Sequence, residues 1–276
     1  MRSVRGRVAV VTGGGSGIGR STCEALARAG CHIAVVDVDL AAAEATAVAV
    51  RGYGSEASTH RVDIRDAAAA AALPDAVRSA HGLCNILVNN AGVVTAGTFQ
   101  HESDDDLRWI IDTNVWGMLH LTRAFLPSLH AVDDAHIVNL SSMVGLVGMP
   151  YNTSYALTKG AVRSFSEALR SELLPSGIGV TVVFPGSIRT NITQAARGTH
   201  ANALGAMGRH RLANRLLLDP DVVARRIVRG IERNHPRVVV GPDARLLDLL
   251  SRIYPGRSGL VGRVAGRRLP PPDQPT

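Results

Sequence analysis

The sequence predicts a single α/β domain built on a doubly wound parallel sheet, with helices on both faces. Short runs rich in valine and isoleucine alternate with longer amphipathic or alanine-rich segments. Nearly continuous apolar runs are typical of strands buried on both faces, and helical segments between them suit the crossovers that parallel strands require. A chain of 276 residues can form one such unit with a large core.

The predicted strands alternate with helices along residues 1–242, which we interpret as the catalytic domain. Ligands of such sheets bind outside the carboxyl ends of the strands, so the site is expected there. Residues 243–276 are predicted as a C-terminal extension, a basic amphipathic helix with a disordered proline-rich end. The seven predicted strands lie in residues 7–13, 31–38, 56–64, 85–92, 135–142, 179–186 and 237–241.

Composition argues against several classes of protein. The net charge is +7, but the arginines are scattered and only 4% of residues are aromatic, so no nucleic-acid partner is predicted. Three cysteines without a CxxC pair, and histidines without HExxH spacing, predict neither a disulfide framework nor a metal site. The apolar run near the start is too short for a signal peptide or a membrane span, and a cytoplasmic protein is expected.

A glycine-rich turn follows the first predicted strand. The stretch TGGGSGIGR has its fixed points at Gly13, Gly17 and Gly19, and a helical segment begins within it. Glycines let the backbone approach a pyrophosphate, which the free N–H groups of a helix N-terminus attract. Ser16 and Ile18 complete this candidate phosphate-binding turn, although a purely structural turn has the same pattern.

An acidic residue, Asp37, ends the second predicted strand, twenty residues after Gly17. A carboxylate there can accept hydrogen bonds from the adenosine ribose and repels a 2′-phosphate, which favours NAD over NADP. Arg20 keeps NADP open, because a guanidinium near the site can bind a phosphate. Asp37 or Asp39 can instead cap the following helix, and Asp39 is the better placed.

The only lysine of the chain lies four residues after a tyrosine. Tyr155 and Lys159 fall in SYALTKGAVRSFSEALRSELL, whose helical spacing puts both side chains on one face. A tyrosine that acts as a base near neutral pH needs a stabilised phenolate, which a nearby ammonium provides. A compact ammonium can also bind ribose hydroxyls, which explains why this residue is not an arginine.

Ser142 stands at the end of the fifth predicted strand. Its hydroxyl can hydrogen-bond a substrate oxygen as that oxygen gains or loses charge. Ser141 is the competing candidate, and either serine can simply close the strand.

The motifs TGGGSGIG, NNAG, TNVWG, YALTK and PGSIRT, together with Ser142, resemble the short-chain dehydrogenase/reductase family over about residues 5–241. The resemblance implies a Rossmann-type fold, a nicotinamide dinucleotide, hydride transfer, and a homodimer or homotetramer. It also implies Tyr155 as the general acid/base, Lys159 as the residue that lowers its pKa, and Asn114 as the residue that places a relay water. It further implies that Lys159 holds the nicotinamide ribose, that Asp63 approaches the adenine, and that Asn90 and Gly92 border the adenosine side. Ile64 and Ala91 are further implied cofactor contacts. The residues that the resemblance places around the nicotinamide carboxamide are Pro185, Gly186, Ile188 and Thr190.

The expected reaction interconverts a secondary alcohol and a ketone, and NAD preference favours oxidation. The pocket edge is apolar, which suits a bulky substrate such as a steroid, a terpenoid or a long-chain alcohol, although each residue can equally be core. Residues 193–208 are expected to form a mobile lid. The expected edge residues are Val94, Met143, Val144, Met149, Tyr151, Ile192, Leu204 and Met207, with Ser142 and Tyr155 at the reacting oxygen.

Alternatives remain open for the role of residues 243–276 and for the function of the protein. The extension can contact an anionic membrane, form a lid or contact a second subunit. The protein can also be a non-catalytic NAD-binding scaffold, which the complete serine, tyrosine and lysine set disfavours. The third possibility is an NADPH-dependent ketoacyl reductase: Asp37 disfavours NADPH, whereas the basic surface permits docking of an acidic carrier protein.

Overall fold

A seven-stranded parallel sheet forms the centre of the molecule. The computed structural model describes residues 3–190, 192, 195–201, 217–257 and 259. The strands are β1 (Val8–Thr12), β2 (His32–Asp37), β3 (Ala57–Arg61), β4 (Ile86–Asn89), β5 (His136–Leu140), β6 (Gly179–Pro185) and β7 (Arg237–Val240). Their order is β3-β2-β1-β4-β5-β6-β7, and each predicted strand is confirmed.

Helices cover both faces of this sheet. Their bounds are α1 (Gly17–Arg28), α2 (Leu40–Arg51), α3 (Ala67–His81), α4 (Asp104–Ile111), α5 (Gly117–His130), α6 (Thr153–Glu172), α7 (Pro220–Glu232) and α8 (Pro242–Ile253). Along β1, Val8 and Val10 pack into the core layer that contains residues of α3, α5 and α6, whereas Ala9 and Val11 pack into the layer of α1, α2 and α7. The doubly wound α/β fold is therefore confirmed.

The carboxyl ends of β1 and β4 meet where the strand order reverses, which is where such sheets form a crevice. The Thr12 hydroxyl joins the two ends. It accepts hydrogen bonds from the N–H groups of Asn90 and Ala91, each at 3.0 Å, and donates to the Val88 carbonyl at 3.3 Å. The turns that follow β1 and β4 are thereby held side by side.

Helix α2 begins at the cap that the sequence favours. Asp39 is its N-cap, and the carboxylate accepts a hydrogen bond from the Ala42 N–H at 3.1 Å. This leaves Asp37, two residues earlier, outside the cap. Among the described helices, none is both long and apolar enough to cross a membrane.

Candidate active site

A cleft of about 540 Å³ opens at the carboxyl ends of the central strands. The segments that line it follow β1, β2, β3, β4, β5 and β6, together with part of α6. The sequence-predicted residues that line it are Gly13, Ser16, Gly17, Ile18, Asp37, Asp63, Ile64, Asn90, Ala91, Gly92, Ser142, Tyr155, Lys159, Pro185, Gly186, Ile188 and Thr190.

The glycine turn after β1 forms one end of this cleft. Gly13 and Gly17 have φ angles of +61° and +51°, a region that favours glycine. Gly19, predicted to contact the cofactor, does not line the described part of the cleft. Close packing requires glycine there, because a Cβ would lie 2.0 Å from the Gly13 carbonyl oxygen, and the cofactor contact of Gly19 stays a prediction. Asn90 adds a further tie, since its amide donates to the Thr12 carbonyl at 2.8 Å.

Asp37 joins the glycine turn to the end of β2. Its carboxylate accepts hydrogen bonds from the N–H groups of Gly15, at 2.9 Å, and Asp39, at 3.1 Å. The adjacent Val38 is 58% exposed and also lines the cleft. Arg20 is the residue that could bind the 2′-phosphate of NADP. It instead pairs with Glu24 of its own helix at 3.1 Å and does not line the described part of the cleft.

Asp63 follows β3 and forms an ion pair with Arg65, which was not predicted as a site residue. The Arg65 guanidinium donates to both carboxylate oxygens of Asp63, with the shortest N–O distance 2.5 Å. These hydrogen bonds hold the pKa of Asp63 below its ordinary value. Arg65 also lines the cleft, so this end combines an ion pair with the apolar side chain of Ile64.

Tyr155 and Lys159 project from the first turns of α6. The Lys159 amine lies 5.7 Å from the centroid of the Tyr155 ring and donates a hydrogen bond to the Leu140 carbonyl at 2.9 Å. Ser142 lines the cleft together with Tyr155, and its side chain lowers the pKa of the tyrosine. Ser141 instead donates to the Lys159 carbonyl at 2.8 Å, so it anchors the helix while Ser142 meets the tyrosine.

Burial shifts the pKa values of Tyr155 and Lys159 in opposite directions, and in both cases it favours the neutral form of the side chain. Burial raises the pKa of Tyr155 to about 12, against the lowering effect of the Ser142 side chain. It lowers the pKa of Lys159 to about 8. The expected depression of the Tyr155 pKa is therefore wrong for this structure. The cost of burying the phenolate outweighs its stabilisation, and the lysine amine is bound to the Leu140 carbonyl.

Asn114 lies 2% exposed in a π-helical turn, Asp112–Trp116, that joins α4 to α5. Its amide oxygen accepts from the Val93 N–H at 2.8 Å, and its amide nitrogen donates to the Val93 carbonyl and the Thr158 hydroxyl. Asn114 thus ties the segment after β4 to the residue before Lys159. Its expected role in placing a relay water stays a prediction.

Five predicted substrate or pocket-edge residues do not line the described part of the cleft, namely Val94, Met143, Val144, Met149 and Tyr151. Val94 and Val144 are 5% and 7% exposed, so they pack in the interior. Met143 lies in a short 3-10 turn after Ser142. Tyr151 lines a separate small pocket, where its ring lies 5.3 Å from that of His200. Val94 and Val144 are therefore assigned to packing and Tyr151 to the second pocket, whereas the pocket-edge roles of Met143 and Met149 stay predictions.

Other side chains form the wall near the reacting groups. Trp109 and Thr113, which were not predicted, are joined by a hydrogen bond from the threonine hydroxyl to the tryptophan carbonyl at 2.8 Å. The available signal was their spacing of four residues, which places both on one face of amphipathic α4 and the turn beyond it. Ile192, which was predicted, also lines the cleft. Leu204, Met207 and most of the predicted lid, residues 193–208, lie outside the described residues.

Comparison with known proteins identifies the family. The family model for short chain dehydrogenases matches residues 7–201. The chain belongs to the short-chain dehydrogenase family. SadH of Mycobacterium tuberculosis, named as an oxidoreductase, is 37% identical to this short-chain dehydrogenase over 258 residues, or 92% of each chain.

Solved structures agree with this assignment. A short-chain dehydrogenase/reductase from Burkholderia phymatum, in complex with NAD, is 29% identical and covers 100% of both chains with a TM-score of 0.85. A 3-ketoacyl-(acyl-carrier-protein) reductase from Brucella melitensis, complexed with NADH, is 28% identical over 86% of this chain and 98% of its own, with a TM-score of 0.74. The predicted family and Rossmann-type fold are confirmed, and the protein is an oxidoreductase of a family that binds nicotinamide cofactors.

Proposed function

We propose that this short-chain dehydrogenase interconverts a secondary alcohol and a ketone with NAD as its preferred cofactor. The observation that carries the proposal is the meeting of Ser142, Tyr155 and Lys159 in the cleft. The serine side chain lowers the pKa of the tyrosine, and the lysine amine lies 5.7 Å from the centroid of the tyrosine ring. A protein that only binds the dinucleotide needs the glycine turn and Asp37 but not this set, which disfavours the scaffold hypothesis.

The residues present fit a dinucleotide. The cleft volume of about 540 Å³ lies within the ordinary range of ligand pockets. The glycine turn opens α1, whose first N–H groups are suited to a pyrophosphate. The Asp37 carboxylate accepts two backbone N–H groups and retains lone pairs for ribose hydroxyls. Its charge, and the pairing of Arg20 with a glutamate, support NAD over NADP.

The chemistry divides among three side chains. When bound, the nicotinamide ring supplies the hydride acceptor or donor. Tyr155 takes the hydroxyl proton of an alcohol, or gives its own proton to a ketone oxygen. The Ser142 hydroxyl donates a hydrogen bond to the same oxygen. In its protonated form, the Lys159 ammonium stabilises the negative charge of the Tyr155 phenolate.

The high pKa of Tyr155 bears on the direction of the reaction. With a pKa of about 12, the tyrosine carries its proton at neutral pH, which is the form that protonates a ketone oxygen. Alcohol oxidation needs the phenolate and is therefore expected to increase with pH. The preference for NAD therefore favours alcohol oxidation, whereas the raised pKa of Tyr155 favours ketone reduction at neutral pH.

The wall of the cleft supports an apolar or bulky substrate. Trp109, Ile192 and Ala195 line it together with Val93, and they offer dispersion contacts rather than charge. The Brucella neighbour, a 3-ketoacyl-(acyl-carrier-protein) reductase complexed with NADH, favours a second candidate substrate, a ketoacyl thioester. The family resemblance also supports a homodimer or homotetramer, which light scattering measures.

Absorbance at 340 nm tests the proposal. The purified protein is assayed with NAD or NADP against secondary alcohols, including steroids and long-chain alcohols, and with NADH or NADPH against ketones and an acetoacetyl thioester. We expect turnover of an apolar alcohol–ketone pair with NAD. Asp37→Ala should reduce the preference of the enzyme for NAD over NADP. Use of NADP alone would contradict the role of Asp37. NAD binding without turnover on any substrate would favour the scaffold.

A further inference from the structure

The last residue of β6 and the segment after it, together residues 185–190, are contacted from outside by α8, the helix that begins the C-terminal extension. Asp243, in the first turn of α8, accepts a hydrogen bond from the Ser187 N–H at 2.7 Å through one carboxylate oxygen. The other oxygen accepts from the Ala244 N–H at 2.8 Å, which fixes the side chain to its own helix. Pro185, Gly186, Ile188 and Thr190 of this segment line the cleft.

Gly186 makes this contact possible. A Cβ at Gly186 would lie 2.1 Å from a carboxylate oxygen of Asp243, so any other residue would push the carboxylate away. The carboxylate therefore lies directly against the backbone of the segment. Charge-assisted hydrogen bonds are roughly twice as strong as neutral ones, which suits a carboxylate at an exposed loop amide.

The opposite edge of the segment is held separately. The Leu218 N–H donates to the Ser187 carbonyl at 3.0 Å, and the Arg189 N–H donates to the Leu218 carbonyl at 2.9 Å. The Arg189 guanidinium pairs with Asp219 at 2.6 Å. Ser187 is thus bound through its carbonyl to Leu218 and through its N–H to Asp243, so loss of Asp243 frees one side of the segment only.

We propose that Asp243 is a positioning residue for the nicotinamide end of the cofactor. By fixing the Ser187 N–H, it orders residues 185–190 before the cofactor binds, and a preordered segment costs less conformational entropy on binding. Asp243 lies beyond residues 7–201, which the family model matches, so the start of the extension acts in cofactor binding. The inference rests on the proposed use of a nicotinamide dinucleotide.

Calorimetric titration with two ligands tests this role. NAD contains the nicotinamide, whereas ADP-ribose shares its adenosine and pyrophosphate but lacks that ring. Asp243→Ala is expected to raise the Kd for NAD about tenfold, the loss of one charge-assisted hydrogen bond, and to leave the Kd for ADP-ribose unchanged. Asp243→Asn keeps an acceptor without the charge, and about threefold weakening for NAD alone is expected. This variant decides the matter if the alanine variant does not fold.

Asp248→Ala is the matched control in the same helix. Asp248 pairs with Arg237 and, at 3.1 Å, with Arg252, and within the described part of the chain it forms no side-chain hydrogen bond or ion pair with residues 185–190. Its loss should lower the melting temperature while the ratio of the two Kd values stays at the wild-type value. Equal weakening of both ligands by Asp243→Ala, or no weakening of NAD, overturns the positioning role. Failure of the wild-type protein to bind either ligand overturns the proposed function and this inference together.

Discussion

The single lysine of the chain permits a direct measurement of the electrostatics of the site. Lys159 is 4% exposed, and its amine donates to the Leu140 carbonyl. Burial disfavours the charged form and lowers its pKa from 10.5 to about 8. We therefore predict that the amine titrates in the folded protein well below the ordinary range of lysine.

The shift has a defined effect on stability. The difference between 10.5 and about 8 corresponds to about 3 kcal/mol. Below pH 8 the folded protein carries the full cost of a buried ammonium. Between pH 8 and 10.5 the unfolded chain still binds a proton that the folded protein has lost, so the stability rises with pH. Lys159→Met removes the cost and also a hydrogen bond of about 1 kcal/mol, so it should raise the free energy of unfolding at pH 7 by about 2 kcal/mol.

The assay uses lysine labelled with ¹³C at Cε, which gives one resonance because the chain has one lysine. Its chemical shift is followed against pH in the folded protein. The same protein in urea is the internal control and should titrate near 10.5. A folded-state pKa near 10.5, or a Lys159→Met variant that is less stable than the wild type at pH 7, would refute the reasoning.

Two further predictions concern stability. The neutral ring of His136 donates a hydrogen bond to the Thr181 hydroxyl, because that hydroxyl uses its own proton to bond the His235 carbonyl. Burial lowers the pKa of His136 to about 3. The folded protein therefore binds this proton less readily than the unfolded chain between pH 3 and 6.5, and stability should fall by about 5 kcal/mol as the pH drops through that window. His136→Gln should flatten this dependence in acid unfolding followed by circular dichroism, and an unchanged slope would contradict it. Gly19→Ala should lower the melting temperature strongly, whereas Gly160→Ala, where a Cβ has no neighbour within 4 Å, should stabilise α6 by up to about 1 kcal/mol. Equal melting temperatures for these two variants would contradict the packing role of Gly19.

The strands and much of the cleft could be predicted because their causes are local. A strand buried on both faces needs a continuous apolar run, as in β1 and β4, and the ends of parallel strands meet at one edge of the sheet. Tyr155 and Lys159 share a helix face through their spacing alone. Asp39 was identified as the cap because it directly precedes the first turn of α2.

The remaining features depend on three-dimensional contacts. An apolar residue after a strand, such as Val94, fits a pocket wall and a core equally well, and only burial separates them. The π-helical turn at Asn114 has the apolar pattern of an ordinary helix. The raised pKa of Tyr155 depends on desolvation, which pairwise spacing does not report. Asp243 meets Ser187 across 56 residues of sequence.

The central claim is that Tyr155 transfers the proton while a bound dinucleotide exchanges the hydride. The most direct test compares NADH formation at 340 nm by the wild type and Tyr155→Phe, with NAD affinity measured on both proteins. The variant loses only a hydroxyl, so we predict unchanged NAD affinity and turnover reduced by about 10²-fold or more. Turnover at the wild-type rate by Tyr155→Phe would contradict the account.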